Sequence, residues 1–253
     1  MKISEHSGAN TIEKLIRELG DAHKSVQRRA IDELAAIAAT GDPLIIEKLR
    51  KSLASSDRRM RWAAAYALGQ IGAGAFAMDS ADVLCEAMGD DDGDIRWAAT
   101  NLMVRLGREN LAEIGARLLK LAADRDHNAR KMALYCIRDL EIAGADLLAV
   151  LEIAVHDSDI HVRLAALSVL SRLRDASGQC VRIILECMRS DPDPGVRRAA
   201  ASALGNIQNA GADAAAALTS AAADPGDQSL ARAARGALDR LDKERLEKLP
   251  LEK

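Results

Sequence analysis

Apolar residues recur along this chain with the 3.6-residue period of amphipathic α-helices, and the whole pattern repeats every 33 to 35 residues. Each repeat can be aligned on one residue near the start of its second helix, called the anchor. Every residue four positions after an anchor is alanine, and Leu, Ile or Met follows eight positions after it. These positions share one helix face, and the alanines predict close approach of neighbouring helices. The seven anchors are Val26, Met60, Ile95, Ala129, Val162, Val196 and Leu230.

A second amphipathic segment precedes each anchored helix, and short connections with Gly, Asp or Ser separate the two. The pattern predicts a unit of helix A, turn and helix B, repeated seven times, in one all-α solenoid over residues 1–253 with a right-handed superhelix. Segment 242–253 is highly charged and is expected to form a solvated C-terminal cap with a frayed end. The predicted repeats span residues 11–38, 43–72, 80–107, 110–141, 146–174, 178–208 and 213–241.

Two charged positions repeat together with the helices. Aspartate precedes the anchor by three residues in six repeats, where it would cap the N-terminus of helix B. Arginine follows the anchor directly in the five central repeats, whereas Gln27 and Ala231 replace it in the outer two. The central members of these rows are Asp57, Arg61, Asp92, Arg96, Asp126, Arg130, Asp159, Arg163, Asp193 and Arg197.

The resulting D-x-D-x-x-V-R-x-x-A-x-x-x-L pattern, present at residues 191–204, resembles the HEAT-like repeat of the phycobilin-lyase type over about residues 11–241. The resemblance implies an armadillo/HEAT-like solenoid whose B helices line the concave face. It also implies that the arginines meet aspartates of the inter-helix turns and form a ladder between repeats. Bilin lyase subunits and phycobiliprotein-processing factors belong to this type, which gives one alternative for the function.

Composition narrows the fold and the function. Ala and Leu supply 81 of the 253 residues and only five are aromatic, which excludes an all-β core. The net charge of −3 gives no general attraction to nucleic acid or membranes, and no apolar stretch is long enough to span a bilayer. The N-terminus lacks the apolar region of a secretory signal. The four cysteines form no C-x-x-C pair, so we expect buried free thiols in a reducing, cytoplasmic setting.

Residues of known catalytic and metal sites do not form their usual patterns. None of the five histidines is followed by glutamate, so the His-Glu pairs of deoxyhypusine-type di-iron hydroxylases are missing. The segment 156–161 offers two histidines with Asp157 and Asp159, but the two aspartates occupy the turn and cap positions of the repeat. Phosphate-binding glycine loops, G-x-S-x-G and H-E-x-x-H are also missing. The sequence therefore predicts no enzyme, no catalytic residue, no metal and no cofactor.

Aromatic residues cluster on the face of helix B that is opposite the alanine row. Both tryptophans and both tyrosines of the chain stand two or six positions after an anchor, in the second to fourth repeats. Aromatic rings that point away from a core are typical of a binding surface, and the alternative is that they fill gaps between adjacent B helices. The predicted partner-binding residues are Trp62, Tyr66, Trp97, Asn101, Arg105, Lys131, Tyr135 and Arg138.

The charge of this outward face differs from that of the whole chain. Positions two, six, nine and ten after the anchors hold eight basic and three acidic residues, an excess of 8 − 3 = +5. Such a face would suit an acidic or extended protein segment, although solvated helix charge is the simpler alternative. The sequence predicts a non-enzymatic interaction scaffold for a protein or peptide. The alternatives are a bilin lyase subunit and a nucleic-acid-binding protein, and the oligomeric state stays open.

Overall fold

The structure is a computed structural model, and it describes residues 2–38, 43–71, 74–173, 178–207 and 210–247. Within these ranges it contains fourteen α-helices and no strand, which confirms the predicted all-α solenoid fold. The A helices are α1 (Lys2–Glu18), α3 (Pro43–Leu53), α5 (Gly74–Ala87), α7 (Leu111–Leu121), α9 (Ala145–Ala154), α11 (Gly178–Ser190) and α13 (Gly211–Ala223). The B helices are α2 (Lys24–Ala38), α4 (Arg58–Ile71), α6 (Gly93–Glu109), α8 (His127–Asp139), α10 (Ile160–Leu170), α12 (Pro194–Leu204) and α14 (Gln228–Glu247).

The chain divides into two compact units, residues 1–117 (unit 1) and residues 118–253 (unit 2). Unit 1 contains α1 to α6 and the first part of α7, and unit 2 contains α8 to α14. Within unit 1, α2 packs against α4 and α4 against α6. Within unit 2, α8 packs against α10, α10 against α12, and α12 against α14. Side-by-side packing of B helices is therefore the rule inside each unit.

An aspartate directly precedes six of the seven B helices, as the sequence predicted, and His23 precedes α2. The Asp159 carboxylate accepts hydrogen bonds from the backbone N–H groups of His161 and Val162 at 2.8 and 3.1 Å. Asp193 caps α12 in the same way, and Pro194 stands at the first helical position, where a proline costs no backbone hydrogen bond. Each cap satisfies N–H groups that a helix cannot satisfy itself. The caps thus fix the residue at which each B helix leaves its turn.

The alanine row lies in the core of the repeats. All seven alanines four positions after an anchor are completely buried, and so are six of the seven residues eight positions after it. Leu238, in the last B helix, is half-buried. Complete burial of so small a side chain brings the neighbouring helix close, which confirms the close packing predicted from the sequence.

Glycine allows still closer contact at two equivalent positions, nine residues after an anchor. A Cβ atom added at Gly205 would lie 2.6 Å from the Cα atom of Ala237 in α14, whereas one at Gly69 would lie 3.1 Å from the Leu102 side chain in α6. Both glycines are buried. Counting this position as outward-facing was therefore wrong at these two sites, because a B helix is flanked by the neighbouring B helix and not only by its own A helix.

Several helix ends differ from the sequence prediction. Helix α1 begins at Lys2, nine residues before the predicted first repeat, and α5 begins at Gly74 rather than at residue 80. Helix α14 continues to Glu247, so part of the segment predicted to be a cap and tail extends the last B helix. Lys, Glu, Arg and Leu are strong helix formers, which explains this extension.

The four cysteines are free thiols, and three of them are buried. Burial in apolar surroundings, together with the negative charges of Asp191 and Glu186, raises the pKa of the Cys187 thiol to about 11. This thiol is therefore neutral at physiological pH and packs as an apolar side chain.

Candidate functional site

The repeated arginine of unit 2 binds two turns at once. Arg130 forms a two-bond ion pair with the Asp157 carboxylate through Nε and Nη2, at 2.7 and 2.8 Å. Its third nitrogen, Nη1, donates to the backbone carbonyls of Asp124 and Arg125 in its own turn, at 3.0 and 2.9 Å. Because Asp157 belongs to the next repeat, one guanidinium closes its own turn and ties it to the following one.

Arg163 repeats this arrangement one repeat later. Its Nε and Nη2 donate to the Asp191 carboxylate at 2.9 and 3.2 Å, and Nη1 donates to the Asp157 carbonyl at 2.9 Å. The arginine and aspartate side chains are only 11% and 4% exposed, so this ion pair is the most buried of the ladder pairs described here. Removing either partner would leave a buried charge without compensation.

The acidic partners differ from those that the sequence analysis selected. Arg130 and Arg163 pair with aspartates five residues before the next anchor, not with the cap aspartates three residues before it. Asp126, Asp159 and Asp193 are occupied instead in capping their helices. The cap carboxylate must turn toward the first N–H groups of helix B. The residue two positions earlier is left to receive the arginine.

The position five residues before the anchor has a regular role that the sequence does show. In each of the first six repeats its side chain accepts a hydrogen bond from the backbone N–H two residues later, as in an Asx turn. Five of the seven residues here are aspartate, a signal as regular as the cap row. The row is Asp21, Ser55, Asp90, Asp124, Asp157, Asp191 and Pro225.

The last ladder pair departs from this rule because proline replaces the turn aspartate. Arg197 therefore reaches the cap residue Asp227, with Nη2 and Oδ2 3.2 Å apart. The backbone N–H of Leu230 is the main cause that lowers the pKa of Asp227 to about 2, followed by hydrogen bonds from Ser229 and Arg197. Burial opposes ionisation of Asp157, but hydrogen bonds from Arg130 and from a backbone N–H outweigh it and lower the pKa of that carboxyl.

In unit 1 the equivalent positions are used differently. Arg61 donates to the Ser55 and Ser56 carbonyls of its own turn, but its acidic partner is the exposed Glu86 on α5, at 2.7 Å. Arg96 donates from Nη1 to the carbonyls of Asp90 and Asp91, at 2.6 and 3.0 Å.

The turn acids and the first-repeat position of unit 1 have partners of their own. The carboxylate of Asp90 pairs with Arg58, which stands at a different repeat position. Gln27, which replaces the first ladder arginine, donates to the Leu19 carbonyl at 2.8 Å. Unit 1 thus keeps the bonds to turn carbonyls but not the regular ion pairs.

The predicted aromatic residues of unit 1 fall into two classes. Trp62 and Tyr66 are half-buried against the apolar core, with ring centroids 5.3 Å apart. They stand four residues apart on α4 and therefore share one helix face. Trp97 on α6 is 51% exposed, one of the few large apolar side chains of the described residues that face water. The three predicted aromatic residues of unit 1 therefore include two that pack against the core and one that is exposed.

The polar members of the predicted set include one with a clear local role. Arg105 donates from Nη2 to the Gln70 carbonyl near the end of α4, at 3.2 Å, and so binds a carbonyl group at a helix C-terminus. Arg240 makes the equivalent contact in unit 2, to the Ser202 carbonyl of α12. Asn101 is exposed on α6.

Three predicted binding residues lie in unit 2, on α8. The Arg138 guanidinium carbon lies 5.0 Å from the centre of the Tyr135 ring, within the range of a cation–π contact. The same guanidinium donates to Asp139 at 2.7 Å, and Lys131 donates to the Asn128 side chain at 3.1 Å. All three predicted residues are half-buried. Continuity of a binding surface from Trp62 through Tyr135 stays a prediction.

A cavity of about 530 Å³ opens in unit 1 beside the aromatic pair, bounded by the beginnings of α2, α4 and α6 (the unit 1 cavity). Trp62 and Tyr66 form its aromatic wall. Six carboxylates and four cations line the rest, so the lining has a net charge of 4 − 6 = −2. The charged lining residues are Asp21, Asp32, Asp57, Asp90, Asp92, Asp94, Lys24, Arg28, Arg58 and Arg59.

Two ion pairs hold part of this lining in place. Lys24 on α2 binds the cap residue Asp92 of α6, which is two repeats away, and this hydrogen bond lowers the pKa of the Asp92 carboxyl. Arg58 binds Asp90 at 3.1 Å. Most of these acids come from turns, which a count along the outward face of helix B does not include. The basic excess predicted for that face therefore does not describe the cavity.

One polar atom of the aromatic wall lacks a partner. The Trp62 Nε1–H is buried and makes no hydrogen bond with any residue that the structure describes. A buried donor without an acceptor costs roughly 1–3 kcal/mol, so native structures contain few of them. Because this atom is enclosed by the protein, a ligand in the cavity does not reach it in this structure.

Both aspartates of the histidine-aspartate segment 156–161 have structural roles. Asp157 receives Arg130, and Asp159 caps α10. Over the ranges that the structure describes, no three His, Cys, Asp or Glu side chains come together in a group that could hold a metal ion. In the same ranges, no helix combines the length and the apolar character that crossing a bilayer requires.

Comparison with known proteins agrees with this architecture. The family model for HEAT repeats matches residues 12–104 and 147–239. A search of curated proteins gave no significant match. Among solved structures, the archaeal HEAT-like repeats protein of Thermococcus onnurineus NA1 is 14% identical, with a TM-score of 0.54 over 92% of this chain and 97% of that one. The E. coli protein YibA is 16% identical, with a TM-score of 0.56 over 90% of this chain and 92% of that one.

Human deoxyhypusine hydroxylase is also similar, at 19% identity, but its TM-score of 0.43 is too low to bear on activity. The two better structural matches show the fold alone, since their identities are low. The phycobilin-lyase subtype stays a prediction. The family model covers most of the chain, and its repeats coincide with helix pairs that carry the buried alanines, the Asp caps and the arginine ladder, so this chain belongs to the HEAT-repeat family.

Proposed function

We propose that this protein is a non-enzymatic scaffold that binds a protein or peptide along the outward face of its B helices. HEAT repeats generally mediate protein interactions, and solenoids of this kind present extended binding surfaces. The observation that carries the proposal is the position of Trp97. Its indole is 51% exposed on α6. This helix packs beside α4, which carries the Trp62–Tyr66 pair.

Exposure of this ring has a cost that a partner would remove. Apolar surface contributes about 25 cal/mol per Å² when it is removed from water, and tryptophan is among the residues that contribute most at protein interfaces. The other outward positions of α6 carry Asn101 and the helix-capping Arg105. These polar groups would surround a buried Trp97, as a polar rim surrounds the centre of many interfaces.

The chemistry of the partner is the finer part of this proposal. Arg28, Arg198 and Arg232 are exposed on their B helices, and together with the other basic residues of this face they favour an acidic or extended segment. Attraction of this kind speeds association and weakens with salt. The alternatives, a bilin lyase subunit and a nucleic-acid-binding protein, give different readouts in the same experiment.

The test is affinity capture by the purified full chain, with captured proteins identified by mass spectrometry. Three proteins are compared: the unchanged chain, Trp97→Ala, and Ile153→Ala as the matched control. Ile153 is 74% exposed on the A helix α9, so its truncation removes an exposed apolar side chain outside the proposed surface. We expect one protein to be retained by the unchanged chain and the control but reduced about tenfold or more by Trp97→Ala, at an unchanged melting temperature.

Equal capture by all three proteins would contradict the proposal. A coloured tetrapyrrole that copurifies would favour the bilin alternative, and a salt-dependent gel shift with nucleic acid would favour the other. Each of these outcomes replaces the proposed function rather than modifying it.

A further inference from the structure

We propose that the unit 1 cavity binds a cationic side chain, lysine or arginine, from an extended segment of the protein partner. The proposal rests on the proposed function and adds to it a specific subsite and the chemistry of its ligand. Three features carry it: the size of the cavity, the excess of carboxylates in its lining, and the aromatic wall formed by Trp62 and Tyr66.

The cavity has the right size for one long side chain with its adjoining backbone. Its volume of about 530 Å³ lies in the range of roughly 300–1,000 Å³ that is usual for ligand sites. It is bounded by the N-terminal parts of α2, α4 and α6 and by the turns that precede them, and the turn carboxylates are held by hydrogen bonds from backbone N–H groups. Groups that are fixed in this way are in place before the ligand arrives.

The lining carries more negative charge than its own cations neutralise. Lys24 forms an ion pair with Asp92, and Arg58 forms one with Asp90. Asp32 on α2 makes no hydrogen bond or ion pair with the residues that the structure describes, and the Asp57 carboxylate accepts only the backbone N–H of Arg59 at 2.9 Å. These two carboxylates are available to a cation from outside.

The aromatic wall suits the same ligand. A lysine or arginine side chain can place its methylene groups against the rings of Trp62 and Tyr66, and its charge over a ring face. A cationic side chain would therefore satisfy the carboxylates and the rings together.

An anionic ligand would use the cavity less well. Arg28 and Arg59 also line it, but an anion there would meet the larger number of carboxylates. The whole-face excess of basic residues predicted an acidic partner, so the two ligand classes give opposite results in one measurement. That makes the charge of the ligand the quantity to test.

The experiment uses the full chain carrying Trp97→Phe. The protein has two tryptophans, so this variant leaves Trp62 as the only source of tryptophan fluorescence. It is titrated with a nine-residue acetylated Gly/Ser peptide that carries three lysines, and with the same peptide carrying three arginines or three glutamates. We expect a saturable change in Trp62 emission with the basic peptides, weakening with salt, and at least about tenfold weaker binding of the glutamate peptide.

Matched variants locate the effect. Asp32→Asn removes a charge from the cavity without changing the shape of the side chain, and Glu33→Gln removes one from the adjacent residue, which does not line the cavity. Starting from Trp97→Phe, we expect Asp32→Asn to raise the Kd for the lysine peptide about five- to tenfold and Glu33→Gln to change it less than about twofold. Melting temperatures confirm that each variant is folded.

Two results would overturn the inference: equal or tighter binding of the glutamate peptide, or no saturable change with any peptide. Its failure can be distinguished from failure of the proposed function. One outcome would contradict only the cation subsite and leave the proposed scaffold function standing. In that outcome a partner is captured through Trp97, its affinity does not change with Asp32→Asn, and the lysine peptides cause no change in fluorescence. Loss of partner capture altogether would remove the scaffold.

Discussion

Units 1 and 2 are built from the same type of repeat, but they use the carboxylates of its turns differently. In unit 2, Arg130 and Arg163 each form two hydrogen bonds to an aspartate of the next turn, so the turn charges are neutralised inside the repeat stack. In unit 1, Arg61 turns to an exposed glutamate of α5, and the turn acids instead line the unit 1 cavity. The comparison shows that the turn carboxylates are enclosed where the ladder is regular and line an open cavity where it is not.

The largest expected effect is the loss of the most buried ladder arginine. Arg163→Ala leaves Asp191 buried without a countercharge, and we expect a loss of about 3 kcal/mol in the free energy of unfolding. Arg61→Ala should cost less than about 1 kcal/mol, because its partner Glu86 is 48% exposed. Urea denaturation of both variants measures the difference.

Arg198→Ala serves as the control for these two substitutions, since this arginine is exposed on α12 beside a ladder position. It should change the unfolding free energy by less than about 0.5 kcal/mol. Similar losses at Arg163 and Arg61 would show that the ladder does not distinguish the units.

The second effect compares the two buried glycines at one repeat position. Gly205→Ala would place a methyl group 2.6 Å from the Ala237 Cα atom, and we expect about 2–3 kcal/mol of destabilisation because two helix backbones must separate. Gly69→Ala meets the flexible end of Leu102 at 3.1 Å, and about 1 kcal/mol is expected there. Thermal unfolding of the two variants ranks them, and the reverse order would contradict the close packing of α12 on α14.

The third effect is a dependence of stability on acidity. The pKa values of Asp157 and Asp227 are lower in the folded protein than in the unfolded chain, for Asp227 about 2. Their contribution is therefore present above the unfolded pKa of about 4 and is lost as the pH falls through the folded pKa. Asp21 and Asp92 in unit 1 also have lowered pKa values, so both units contribute.

Denaturation midpoints between about pH 5 and pH 2.5 measure this dependence. Arg130→Ala should reduce the slope, because Arg130 is the main group that lowers the pKa of Asp157. An unchanged slope would mean that this ion pair does not contribute to acid sensitivity.

The smallest effect is a gain in stability. Glu141, which follows the C-cap residue Leu140 of α8, has a φ of 52°, the left-handed conformation that favours glycine. Glu141→Gly should stabilise unit 2 by about 0.5–1 kcal/mol, since the bond from the Ile142 N–H to the Ile137 carbonyl would be kept. A lower melting temperature would indicate that the glutamate side chain has a favourable role that outweighs the strain.

Most of the fold was predictable from the sequence, because the same pattern of residues recurs every 33 to 35 positions and defines each helix pair. The alanine and aliphatic rows identify the buried face, and the aspartate row gives the start of each B helix, as the caps at Asp159 and Asp193 show. The helix ends were less predictable: α14 continues past residue 242 because strong helix formers keep the helix intact.

The site was only partly predictable. Positions two and six after the anchor correctly separate side chains from the alanine face, but whether a ring such as Trp62 packs or Trp97 protrudes depends on the neighbouring helix. The sequence analysis did not bring the cavity acids together, because most of them come from turns, where a helical wheel assigns no direction. The resemblance implied that turn aspartates receive the arginines, but the residues selected for the ladder were the cap aspartates and not Asp157. Two aspartates of one turn look equivalent in sequence and differ only in which N–H groups they reach.

Two aspartates of the ladder each accept hydrogen bonds from two arginines. The Asp157 side chain receives Arg130 and its carbonyl receives Arg163, while the Asp191 side chain receives Arg163 and its carbonyl receives Arg197. The last arginine ends on Asp227, so an unbroken series of charged hydrogen bonds crosses the four repeats of unit 2. Opening any one of these turns would release the bonds on both sides of it. Amide hydrogens of α8, α10 and α12 should consequently exchange with solvent together, in a single concerted opening, rather than one repeat at a time from the end.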